Sequence, residues 1–309
     1  MIRQIKYKTV TWIDMESPSR SELDEVVKNY DVHPLVVHEL VIPSQRSKVD
    51  PYDDFMYLIL HFPSSHFFGN GENRKETYEV DFVLGKNFLI TVHYEPIQEL
   101  EEFAKVFESN SALNKKKNEL HAGLVFFYLI QQLYQSLEPG LDSLNHSLKR
   151  VEQKIFTGHE AEMVETISNI NRQLLDFKWA LKYHREVLSS LDIAGRDFFG
   201  EKFGYYLRAI IGEYEKTWNY LESHRETFNE LRQTNESMLS IKTNNIMKAI
   251  AIIAMVFLPS TLIGTIFGMS GLDSNMPIIK SPYGFYIAVT LMALAAFSTF
   301  IWIKFKKWL

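Results

Sequence analysis

The chain has 309 residues, enough for about two domains, with 46% apolar and 23% charged side chains, both near soluble averages. It contains no cysteine, which excludes a disulfide framework and any thiolate metal site. A formal net charge of −5 argues against a nucleic-acid partner, and no repeat, Gly/Ser-rich linker or low-complexity tract is present.

The opening stretch "MIRQIKYKTVTWIDM" lacks the unbroken apolar core of a signal peptide, so the polar region that follows is expected not to be exported. Residues up to about 100 read as mixed α/β. "KTVTWIDM", "FMYLILHFP" and "YEVDFVLGKNFLITVHY" are rich in β-branched and aromatic residues, with the turn signal "GNGEN" between them. "SPSRSELDEVVKNY" opens with Ser and Pro and continues with acidic residues, a helix start. An α/β domain over 1–112 is the expectation.

From about Glu99 the strand signals vanish. Two long helical segments are predicted over roughly 113–157 and 160–190, and a third begins near Gly200 with no convincing stop. Along it Leu207, Ile211, Tyr214, Trp218, Leu221, Phe228, Leu231 and Met238 recur at steps of three, four or seven, a helical stripe of coiled-coil character. Its ordinary explanation is a seam packed on the preceding helices. The stripe runs into "KTNNIMKAIAIIAMVFLP" without a break, so one helix of about 65 residues, on the order of 100 Å long, is expected. Residues 113–245 form this helical stalk domain.

No ionisable side chain occurs over 249–272, and over 281–303 only the phenols of Tyr283 and Tyr286. Each run exceeds the roughly 20 residues a helix needs to cross about 30 Å of hydrocarbon. The expectation is a transmembrane domain over 246–309, with spans at about 246–269 and 283–303 and a loop at 270–282. Lys304, Lys306 and Lys307 follow the second span, which puts the tail in the cytoplasm under the positive-inside rule. Two spans then return the N-terminus to the same side and turn the loop outward.

Within the first span the polar and small residues are Asn244 near its entrance, then Ser260, Thr261, Gly264 and Thr265. Positions 244, 251, 258, 261, 265 and 268 advance by seven, three or four and share one helical face. Such a face serves helix packing, where small residues allow close approach, or it borders water. Pro259 is tolerated because neighbouring helices can satisfy the carbonyl it frees. Two spans cannot enclose a wet path, whereas symmetric copies can, with the first span inside. Asp273, in "FGMSGLDSNMP", is then either a solvated loop charge or one member of an acidic ring at the outer mouth.

"KTNNIMKAIAIIAMVFLPSTLIGTIFGMS", followed by "MP", a second span and "KFKKWL", resembles the CorA family of divalent-cation transporters. "HPLVVHELVIPSQRSKV" and "REVLSSL" are similar to its cytoplasmic segments, and the resemblance covers nearly the whole chain. It implies a homopentameric funnel in the inner cell membrane, an α+β membrane protein whose stalk helices continue into the first span. It implies passive Mg2+ transport, also of Co2+ or Ni2+, with no other cofactor. The family's polar ring falls on Asn244, its hydrophobic gate on Ile250 and Leu258, and its pore threonine on Thr261, with Thr265 on the same lining face. Its Gly-Met-Asn signature falls on Gly268, Met269 and Ser270, so contacts to the hydrated ion are expected from Ser270, Gly268 and Asn244, with Asp273 at the entry.

Three departures stand out. Serine replaces the signature asparagine at Ser270; a hydroxyl still offers lone pairs to the waters that Mg2+ keeps, but on a shorter side chain. The loop before Met276 and Pro277 is about two residues longer than the family pattern. The acidic residue of the family's intersubunit Mg2+ sensor falls on Ala209.

Enzyme chemistry finds little support: no i,i+4 histidine pair, nucleophile elbow or P-loop occurs, and His61 and His66 read as loop or core histidines. The rival readings are a Zn2+ transporter of the same superfamily and a non-conducting, membrane-anchored scaffold.

Overall fold

A computed structural model describes residues 1–64, 77–108, 121–269 and 282–306. They form two compact units, Met1–Gln233 and Thr234–Leu309.

The first unit is built on a six-stranded sheet of order β1-β2-β6-β5-β4-β3. Its strands are β1 (Ile2–Tyr7), β2 (Val10–Glu16), β3 (Lys48–Pro51), β4 (Phe55–Pro63), β5 (Thr77–Gly85) and β6 (Phe88–His93). All neighbours are antiparallel except β2 and β6, which are parallel, with Trp12 opposite Leu89. A parallel pair needs a long crossover, and here everything from α1 (Arg20–Lys28) to β5 lies between the two strands in sequence. Both faces of the sheet are covered, which is why "FMYLILHFP" is almost uniformly apolar instead of alternating.

On one face Ile13, Met15, Tyr57, Ile59, Ile90 and Val92 pack with Leu23 and Val27 of α1 and with Val36, Val37 and Leu40 around α2 (Pro34–Glu39). Ser19 caps α1 in a reciprocal capping box with Glu22, and Pro34 opens α2, where its missing N–H costs nothing. On the other face Trp12 meets Phe103 and Phe107 of α3 (Gln98–Glu108) edge-on, at centroid distances of 5.2 and 5.8 Å. Phe82 meets Phe126 of α4 (Ala122–Gln135) at 5.3 Å, also edge-on. "GNGEN" lies outside the described residues.

The helical region is more divided than the sequence predicts. The segment expected over 113–157 is α4 and α5 (Glu138–Phe156), and that over 160–190 is α6 (Met163–Leu181) and α7 (His184–Phe199). Pro139 sits in the first turn of α5, where it cannot donate to the preceding turn, so the first helix stops at Gln135. After a 3₁₀ turn at Glu201–Phe203, α8 (Gly204–Met269) runs for 66 residues, in agreement with the single long helix expected. It contributes residues to both units.

The buried side of α8 is Leu207, Ile210, Tyr214, Thr217, Leu221, His224, Phe228, Leu231 and Asn235. The steps alternate between three and four, a heptad seam. Ile211 and Trp218, assigned to this stripe from sequence, are only half-buried beside it. The second unit consists of the rest of α8 and α9 (Gly284–Phe305).

Candidate functional site

The end of α8 and the whole of α9 are each long and apolar enough to cross a bilayer. Their mutual packing divides α8 into two faces. Ser260 Oγ donates to the Met292 carbonyl at 3.1 Å, and a Cβ on Gly264 would lie 2.7 Å from the Met292 methyl. Ile252, Met255, Val256, Pro259, Ile263 and Phe267 share this half-buried side. Ser260 and Gly264 therefore serve helix packing, as small and hydroxyl residues do between membrane helices.

Asn244, Ala251, Leu258, Thr261, Thr265 and Gly268 lie on the other side and are exposed in the chain. Ile250 flanks them, also exposed. An offset of one residue turns a helix by about 100°, so Thr261 and Thr265 leave the packing side that Ser260 and Gly264 occupy. The sequence placed Thr261 and Thr265, but not Ser260 and Gly264, on one face; the position of Met292 shows which of the two sides packs. Pro259 has no N–H, so the Met255 carbonyl lacks its helical donor.

Thr261 Oγ1 donates to the Phe257 carbonyl at 2.8 Å, and Thr265 Oγ1 donates to the Leu262 carbonyl at 2.8 Å. With each hydroxyl hydrogen committed to the backbone, what these oxygens offer outward is lone pairs. α8 is described as far as Met269. Gly268, which carries no side chain to crowd its main chain, lies in its last described turn on the exposed side. The side chain of Met269, and Ser270, Asp273, Met276 and Pro277, lie outside the described residues.

In the first unit several buried ionisable side chains are bonded to neighbouring groups. His61 sits on β4, its Nε2 2.9 Å from the Ser44 carbonyl and its Nδ1 3.0 Å from Ser47 Oγ, with Glu79 at 3.4 Å. A carbonyl only accepts, so Nε2 carries a proton. His66 lies outside the described residues. Trp12 Nε1 donates to Thr91 Oγ1 at 3.0 Å, and Thr91 Oγ1 donates to Asp14 at 2.6 Å. Beside them burial works against charge on His93, but the hydrogen bond and charge of Asp14 outweigh it and raise the imidazole's pKa. Asp81 is pushed well above the usual carboxylate range, by burial first and then by the neighbouring Glu79. His184, fully buried against Tyr134 at 2.7 Å, is driven down to about 3 by that burial and stays neutral. Among the described residues no cluster of three or more His, Asp or Glu side chains is placed to hold a metal ion. Ala209 is exposed on α8.

The sequence profile of the family described as "CorA-like Mg2+ transporter protein" matches residues 7–307. The chain is 24% identical over 308 residues to the cobalt/magnesium transport protein CorA of Thermotoga maritima, covering 97% of this chain and 84% of that one. It is 24% identical over 302 residues to the magnesium transport protein CorA of Escherichia coli, covering 96% and 92%. Its fold is similar to the complete structure of the CorA magnesium transporter from Methanocaldococcus jannaschii, with a TM-score of 0.81, 20% identity and coverage of 99% and 94%. The ZntB cytoplasmic domain from Vibrio parahaemolyticus is less similar, with a TM-score of 0.51, 15% identity and coverage of 77% and 88%. With its family profile matched almost from end to end, the chain belongs to the CorA-like Mg2+ transporter family.

Proposed function

We propose that this chain is a Mg2+ channel of the inner cell membrane, a symmetric homopentamer with cytoplasmic N- and C-termini that lets the ion run down its electrochemical gradient. The observation that carries the reading is the two-sidedness of α8: Ser260 and Gly264 are taken up by α9, while Asn244, Thr261 and Thr265 stay exposed on the opposite side. Copies arranged with that side inward enclose a path lined by a single helix type, and α9 separates it from lipid.

The chemistry of the lining suits a hydrated divalent cation. Mg2+ dehydrates reluctantly and presents its waters hydrogen-first, so a compatible wall supplies acceptors. Threonine hydroxyls whose hydrogens are committed to Phe257 and Leu262 present oxygen, as does the Asn244 amide. Leu258 and Ile250 provide constrictions that can close by dewetting. At the outer end the main chain of Gly268, with Ser270 and Asp273, receives the ion. Relatives named for cobalt as well as magnesium make Co2+ the first competitor to test, with Ni2+ beside it. Ala209 brings no carboxylate, so closure by cytoplasmic Mg2+ through that position is not part of the proposal.

Uptake into proteoliposomes holding a Mg2+-sensitive dye tests the reading. Uptake should follow the Mg2+ gradient and membrane potential without an added energy source, and Co2+ should compete. A pentamer that passes Zn2+ in preference to Mg2+, or passes neither, would reject it.

A further inference from the structure

The contact of Ser260 and Gly264 with Met292 fixes the relative level of the two helices in the second unit. The half-buried stripe of α8 runs back from there to Ile252, and that of α9 runs forward to Ile303, so the helices are antiparallel. Lys306 stands 14 residues beyond Met292; 14 residues before 260–264 is 246–250, centred on Lys248. Both lysines also extend the contact stripes. Lys248 lies four residues before Ile252 and seven before Met255, while Lys306 lies three after Ile303 and seven after Thr299. The groove between α8 and α9 thus ends at two lysines on the same level.

Neither lysine ion-pairs with a carboxylate among the described residues, and no Asp or Glu occurs over 237–269 or 282–306. Lys306 Nζ is held 5.0 Å from the centroid of the Trp302 ring, an interfacial aromatic that is half exposed. Phe305 beside it is 84% exposed, an apolar surface at the same depth. Two cations on one level, with exposed apolar side chains at that depth, suit an anion that carries its own hydrocarbon.

We propose that Lys248 and Lys306 bind the phosphate of an anionic phospholipid of the cytoplasmic leaflet, whose acyl chains lie along the α8–α9 groove. This rests on the membrane placement argued above, and it adds a ligand that the ion path does not involve. Lysine suits the role as a point charge for phosphate, and basic pockets between transmembrane helices on the cytoplasmic side hold such headgroups. The phosphate's negative charge between the two ammonium groups offsets their mutual repulsion and ties the lower ends of the helices together.

The test is native mass spectrometry of the full-length protein, titrated in detergent with phosphatidylglycerol or phosphatidylcholine. The wild type should retain phosphatidylglycerol with a preference on the order of twentyfold, from two lysines near a charged surface. Lys248→Gln/Lys306→Gln should lose nearly all of that preference, while Lys248→Arg/Lys306→Arg keeps it and guards against a simple folding defect. An unchanged preference in the Gln pair would overturn the proposal, as would its loss in the Arg pair. Displacement of the lipid by millimolar inorganic phosphate would overturn it too, by making free phosphate the ligand. Retention is read without ion flux, so a lipid-binding protein that carries no Mg2+ refutes the channel reading alone. Mg2+ uptake without any lipid preference refutes this one alone.

Discussion

Thr261 illustrates how a hydroxyl's second bond decides its chemistry. Its hydrogen is held by the Phe257 carbonyl at 2.8 Å, so the outward side of the oxygen is an acceptor. Valine has nearly the same shape and no lone pairs; serine keeps the oxygen but loses the methyl that holds its rotamer. Each hydroxyl–water bond is worth about 0.5–1.5 kcal/mol net, and in the proposed pentamer five copies of the substitution act on one ion at once, so Thr261→Val should slow Mg2+ uptake at least about tenfold. Thr261→Ser should stay within a few-fold of wild type. Dye-reported initial rates at matched protein density decide it, and full-rate uptake by the valine variant would mean that Thr261 does not meet the hydrated ion. The same reasoning separates this site from the polar groups of the first unit. Asp14, Thr91, His93, His184 and Tyr134 are bonded to one another or to the backbone and closed off from solvent, which makes them supports of the fold rather than reactive groups.

At the scale of elements, α8 carries its instructions in two periods. Over 207–235 the buried positions step by three and four, and beyond Ile252 they follow the contact with α9. Apolar periodicity alone reveals the first as a stripe and the length of the helix, but it passes over Thr217, His224 and Asn235, which are buried in the seam as fully as the leucines. It also takes Ile211 and Trp218 for Ile210 and Thr217, because an apolar residue one position off the seam looks like a member of it. The break between α4 and α5 was marked by Pro139, whereas that at Lys182–Tyr183 has neither Gly nor Pro and had no local signal. The division of the membrane face was only half legible. Thr261 and Thr265 stand on the predicted face, but which polar residues pack and which stay exposed depends on Met292, which no pattern in α8 encodes. Asn235 offers a test of the seam. Its Oδ1 is buried without a hydrogen-bond partner, a cost of about 1–3 kcal/mol. Asn235→Leu should therefore raise the unfolding midpoint of the detergent-solubilised protein by a few degrees, since about 1 kcal/mol moves a large domain by roughly 2–4 °C. The expected cost is alignment, because a buried polar residue in a heptad seam helps to fix which positions of the packed helices face one another. A lower midpoint would mean that the Asn235 amide makes a contact worth more than leucine's burial.

For the whole molecule, the governing fact is that two spans per chain cannot surround water, so conduction and assembly are one question. In the proposed pentamer of a 36.1 kDa chain each pore-side charge is multiplied by five. The loop over 270–282 holds one acidic residue, Asp273, and one basic residue, Lys280; near the axis the first would form a ring of carboxylates. Such a ring raises the local concentration of a divalent ion without binding any one ion tightly, so its effect is a matter of field and falls with screening. The Debye length shrinks from about 30 Å at 0.01 M salt to about 3 Å at 1 M. Asp273→Asn should therefore cut the initial rate of Mg2+ uptake several-fold at the low end, and the two proteins should converge as salt rises. A contact role gives a different pattern: a carboxylate that touched the ion would leave the variant impaired at every ionic strength. Equal rates at all salt concentrations would place Asp273 away from the axis and return it to the status of a solvated loop charge. Measured on protein whose mass is five times that of the chain, the salt dependence tells a ring acting through its field from a site acting by contact.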